Sequence, residues 1–86
     1  MPELSRFFGI IIKMFYDDHN PPHFHAIYGE YSAIIGIEKI LVIDGYLPPR
    51  AMGLVTEWAY LHRQELFQAW ESAIRYEDLK KIDPLT

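Results

Sequence analysis

Cysteine is absent from the 86 residues, so neither a disulfide framework nor a thiolate zinc site is open to this chain. Any bound metal has to be held by imidazole and carboxylate groups. Long apolar runs are missing as well. The longest, Phe7 to Ile12, ends at Lys13 and falls far short of the roughly 18 to 20 residues that a membrane span needs. No basic region leads into an apolar signal segment at the amino end, and a cytoplasmic location without membrane contact is the expectation. Basic residues are few, 8 against 12 acidic, giving a net charge of -4. That sign disfavours nucleic acid as a partner unless folding gathers Arg6, Lys13, Arg50, Arg63, Arg75, Lys80 and Lys81 into a patch. The glycines are dispersed and cradle no phosphate, and no serine sits in a nucleophile elbow.

What remains is the composition of a folding chain, 50% hydrophobic and 15% aromatic. Its length supports one domain, residues 1–86, with a thin core that oligomerisation would help. Phe8 to Tyr16, with Ile10, Ile11 and Ile12 at its centre, reads as a buried strand closed by the turn-forming cluster Asp17 to Pro22. His23 to Tyr28 and Tyr31 to Ile37 flank Gly29-Glu30, which suits a type II′ hairpin. Ile40 to Ile43, stopped by Asp44-Gly45, continues the meander.

After Pro48-Pro49 no proline interrupts the chain from Arg50 to Arg75, and one long helix is expected there. At 100° per residue Ala51, Leu54, Val55, Trp58, Ala59, His62, Glu65, Leu66, Ala69 and Ala73 share one side, which should face the sheet. The fold class is therefore α+β, a four-stranded, mainly antiparallel sheet with one long carboxy-terminal helix packed on a face. The strands are apolar on both faces, so the second face calls for cover by another copy of the chain or by a small partner protein, unless the sheet curls over itself.

The chemically distinctive segment is Asp17-Asp18-His19-Asn20-Pro21-Pro22-His23-Phe24-His25. Two residues apart on a strand, His23 and His25 leave the same face with Cα atoms about 6.5 Å apart. The stiff proline pair returns His19 toward that strand, and Asp18 or Asp17 supplies an oxygen. His19, His23, His25 and Asp18 form a donor set for a divalent transition metal such as zinc, with nickel, manganese or non-haem iron also suited. Without a metal, two histidines can act as general acid and base near neutral pH, as in phosphodiester cleavage of RNA, given an arginine for the phosphate. His62, on the inner helix stripe beside Glu65, is either a satisfied core residue or the third member of a catalytic set with His23 and His25. The plain alternative is a structural connector whose polar groups bond loop backbone.

Asp18-His19-Asn20-Pro21-Pro22-His23-Phe24-His25-Ala26, Tyr28-Gly29-Glu30, Leu47-Pro48-x-Arg50, Trp58-Ala59-x-Leu61-His62-Arg63-x-Glu65-Leu66-x-x-x-Trp70 and Lys81-Ile82-x-Pro84-Leu85 together resemble the small bacterial family called domain of unknown function 4160. The resemblance spans nearly the whole chain and implies no established activity. It implies membership of a two-gene unit beside another short protein, of the toxin–antitoxin kind, and histidines at the positions numbered 19, 23, 25 and 62 here. The expected functions are then a nuclease-like toxin component acting through the histidines, or a non-catalytic interaction module in which the cluster is structural or metal-binding.

Overall fold

The apolar run at the amino end does not extend as one strand but folds back on itself at Phe8-Gly9. The computed structural model describes residues 2–86, and its β1 (Glu3–Phe7) and β2 (Ile10–Lys13) form an antiparallel hairpin. Phe8 and Gly9 both take positive φ, 49° and 81°, as a two-residue type I′ turn requires. β3 (His23–Tyr28) and β4 (Tyr31–Gly36) pair around Gly29-Glu30 as expected, with Gly29 at φ 59°. β5 (Val42–Gly45) completes the order β1-β2-β3-β4-β5, so the sheet has five antiparallel strands and not four.

β5 also runs through Asp44-Gly45, which reads as a stop signal in the sequence. Gly45 has φ 84°, and a Cβ there would lie 2.3 Å from the Ser32 carbonyl oxygen. Glycine is needed at this last residue of β5 because β4 passes so close and because φ is positive.

The expected single helix is two, α1 (Pro49–Leu61) and α2 (Arg63–Ile74), with His62 as the residue between them at φ -118° and ψ 25°. The hydrogen bonds from His62 N–H to the Trp58 carbonyl and from Leu66 N–H to the His62 carbonyl persist through the break, which is why the apolar period runs on undisturbed. Arg63 ties the start of α2 to the β4–β5 connection, its guanidinium donating to the carbonyls of Ile37 (2.9 Å) and Glu38.

Ala51, Val55, Trp58, Ala59, Leu66, Ala69, Trp70 and Ala73 turn inward from the helices. Trp58 is wholly buried, its ring 5.4 Å from that of Phe7 and 5.9 Å from that of Phe24, and its indole N–H donates to the Asp83 carbonyl at 2.8 Å. This bond, with one from Ile82 N–H to the Leu4 carbonyl (2.8 Å), lays the tail along the free edge of β1. The opposite edge, β5, is exposed throughout, as are Leu41 and Tyr46 beside it.

At its carboxy end α2 closes with Glu77 N–H on the Ser72 carbonyl and Tyr76 N–H on the Ala73 carbonyl. This is the Schellman pattern, and Tyr76, at φ 57°, occupies the left-handed position that glycine usually fills. No helix among the described residues is long and apolar enough to cross a membrane.

Candidate metal centre

Strand alternation in β3 sends Phe24 and Ala26 into the core, leaving His23, His25 and Ile27 for the other side. Register places His25 between Lys13 on β2 and Ile34 on β4, while His23 lies at the strand's start opposite Gly36. The loop from β2, containing a cis Asn20–Pro21 bond, brings Asp18 over the two imidazoles. Its Oδ2 lies 3.1 Å from Nε2 of His23 and 3.1 Å from Nε2 of His25. Side-chain exposures of 10%, 22% and 24% for His23, His25 and Asp18 make the cluster largely shielded but reachable.

The outer nitrogen of His23 settles how that ring is used. Its Nδ1 is 2.7 Å from the Pro21 carbonyl, which only accepts, so Nδ1 carries a proton and donates it. In the neutral ring Nε2 then presents a lone pair toward a carboxylate oxygen. That pairing is relieved by a second ring proton or by a cation, and a backbone carbonyl on the outer nitrogen is the usual support of a metal-binding histidine. His25 donates from Nε2 to Asp18 or turns the same nitrogen on an ion.

The ligand atoms of Asp18, His23 and His25 all lie within 4.8 Å of one another. Zinc bonds of about 2.0 to 2.1 Å at tetrahedral angles give ligand–ligand edges of roughly 3.3 Å, so both 3.1 Å approaches are already near that value. Aromatic rings wall the imidazoles: Trp70 of α2 is 5.1 Å from the His23 ring, and Phe15 meets the His25 ring edge-on at 4.4 Å. Beside His25 the open face of the sheet carries a hollow of about 270 Å³ floored by Ile27 and Ile34.

Two residues expected in the site are not brought into it. His19 is exposed and outside the clustered group, because Asp18, one residue earlier, takes the position facing the imidazoles. His62 lies elsewhere, with Nδ1 donating to Glu65 Oε1 at 2.6 Å and its ring 5.5 Å from that of Trp58. It lines a separate groove of about 480 Å³ with Asp83, Pro84 and Leu85. Trp70, eight residues or about 12 Å further along the helical path, is the helix residue that meets His23. Of the basic residues, Arg6 is held by Glu3 at 2.8 Å and Arg63 by the backbone carbonyls of Ile37 and Glu38.

One anchor of the loop is invisible in the sequence. The Tyr76 hydroxyl donates to Asp17 Oδ1 at 2.6 Å, and its ring stacks on Tyr16 at 6.1 Å. The hydrogen bond to Asp17 and that residue's charge, with a smaller contribution from burial, push the Tyr76 phenol above the usual tyrosine range.

The fold and the pocket define a small α+β protein with a two-histidine, one-carboxylate cluster at the mouth of a meander sheet. A family model described as "Domain of unknown function (DUF4160)" matches residues 9–71, and the chain belongs to that family. No curated protein and no solved structure matches it significantly.

Proposed function

We propose that Asp18, His23 and His25 bind a divalent transition metal, zinc being the best fit to the donors, and that the protein acts through this ion. The observation that carries the reading is one carboxylate oxygen 3.1 Å from two imidazole nitrogens, with the outer nitrogen of His23 committed to Pro21. Three protein ligands on a four-coordinate ion leave a position for water or substrate, as hydrolytic zinc sites do. An open position fits a hydrolytic, nuclease-like activity, and the family resemblance adds to the proposal a place as the toxin-like component of a two-protein unit in the bacterial cytoplasm. The engagement of His62 with Glu65, apart from the cluster, favours the metal route over a metal-free set of acid–base histidines that would include His62.

A second reading has its own support. Leu41, Val42, Ile43 and Tyr46 are exposed on and beside an unpaired edge strand, a surface suited to a second copy or a small cognate protein. In that reading the ion only stiffens the loop of an interaction module. The two are separated by expressing the chain without its neighbour. Growth arrest that disappears in Asp18→Ala and His25→Ala, with one zinc bound per chain in untagged wild type, fits the hydrolytic reading. Stoichiometric zinc with no growth or nuclease phenotype fits the module, and zinc that dialyses away from wild type refutes both metal roles.

A further inference from the structure

We infer that Tyr76 is the positioning residue of the metal centre, holding the Asp18 loop from the far end of the chain. The inference rests on the metal reading above. The loop between β2 and β3 has to place one carboxylate between two imidazoles, and little of it is buried: Asp17, His19, Asn20 and Pro21 are exposed. Its side-chain tie to the helical layer beside Asp18 is the 2.6 Å bond from the Tyr76 hydroxyl to Asp17, reinforced by the near-parallel Tyr16 and Tyr76 rings, 13° apart.

The backbone under Tyr76 says that the side chain is wanted there. Tyr76 fills the left-handed position of the Schellman motif, where a Cβ is disfavoured and glycine costs nothing. Helix termination therefore gains nothing from tyrosine. The same ring is 69% exposed, so core packing does not explain it either. What the tyrosine provides is the reach of its hydroxyl to Asp17, the residue next to ligand Asp18. Groups hydrogen-bonded to a ligand itself typically change metal affinity about 10- to 100-fold; Tyr76 acts one residue away, through Asp17, so the low end of that range, about 10-fold, is expected.

The test is a cobalt(II) titration of untagged wild type, Tyr76→Phe and Tyr76→Gly, read by visible absorption and by thermal unfolding of the metal-free proteins. Tyr76→Phe keeps the stacked ring and should weaken cobalt binding about 10-fold, with an altered cobalt spectrum. Tyr76→Gly suits the left-handed backbone better and should weaken it at least as much, so that affinity falls where a purely structural tyrosine would leave it unmoved. Affinities of both variants within twofold of wild type overturn the inference. Should wild type itself bind no cobalt, the metal reading falls, and the clamp is judged on ring ¹⁵N signals of the metal-free protein. Displacement of the His23 and His25 signals in Tyr76→Phe, with His62 unmoved, upholds it, and unchanged His23 and His25 signals end it.

Discussion

Replacing His25 by alanine separates what the imidazole contributes to folding from what it contributes to an ion. Without metal the change removes a hydrogen bond to the Asp18 carboxylate (3.1 Å) and the edge contact with Phe15 (4.4 Å). Hydrogen bonds to charged groups contribute about 1.5 to 3 kcal/mol and aromatic pairs about 0.5 to 1.5 kcal/mol. With the side chain 22% exposed, the lower ends apply, a loss of about 2 kcal/mol. Zinc at about one hundred times its dissociation constant adds about 2.7 kcal/mol to a protein that binds it only when folded. The wild-type to His25→Ala gap should therefore widen from about 2 to about 5 kcal/mol when zinc is added, because the variant keeps only two ligands. In a chain of this size each kcal/mol moves the unfolding midpoint by roughly 4 to 8 °C, so circular dichroism melts resolve the two arms easily. His62→Ala, whose ring lies outside the cluster, should keep the whole zinc-induced shift. A gap of equal size with and without zinc would refute the assignment of His25 as a ligand.

Gly45→Ala places a Cβ 2.3 Å from the Ser32 carbonyl at φ 84°, and urea unfolding should show a loss of more than about 2 kcal/mol, through strain or through release of β5. Ser5→Ala removes a buried hydroxyl that has no hydrogen-bond partner, so the same assay should give a gain of up to about 1 kcal/mol, and a loss of that size would expose a missed partner. Trp58→Phe removes the indole N–H that donates to the Asp83 carbonyl. It should cost about 2 to 3 kcal/mol and speed tryptic cleavage at Lys80 and Lys81 as the tail lifts, while an unchanged cleavage rate would show the tail to be held elsewhere. The Tyr76 phenol, raised by its hydrogen bond to Asp17 and by that charge, should titrate above free tyrosine when followed by ultraviolet absorbance. Because the folded value is the higher one, its contribution to stability is complete below the ordinary tyrosine range and is lost as pH climbs through the folded value. Asp17→Asn should return the phenol toward the ordinary value.

How much of this was legible depended on whether the determining contact was local. The β3–β4 hairpin was, because Gly29 sits where a type II′ turn demands positive φ. The hairpin of β1 and β2 was not, since its turn puts an exposed phenylalanine where asparagine or glycine would announce it, and Phe7 to Ile12 then reads as one run. Helical periodicity found nearly all the inward residues but not the break at His62, because the hydrogen bonds and the side-chain phase pass through it. In the site, strand alternation correctly put His23 and His25 together, and Asp18 was within reach by sequence distance alone. Proximity in the chain and helix phase point His19 and His62 toward the same place, but neither measure carries the direction in which a loop side chain leaves or the offset of a helix along a sheet. Trp70, Phe15 and Tyr76 left no local signal, since what matters is which distant residue each one meets.

The contacts around Asp18 also explain why the site and the helical layer should respond together. His23 is bounded by Trp70 from the middle of α2, and Asp17 is held by Tyr76 from its end. An ion drawing Asp18, His23 and His25 inward would shorten the distance between a loop and a strand that α2 already spans, so binding energy enters the packing of α2 on the sheet and not the loop alone. Opening of α2 would in turn release both the Trp70 wall and the Tyr76 bond, and with them the order of the ligand loop. Reciprocity of linkage requires that zinc slow hydrogen exchange along Arg63–Ile74 as much as that helix favours zinc. Protection confined to residues 14–25, with α2 amides unaffected by zinc, would show that the loop closes on the ion independently of the helix.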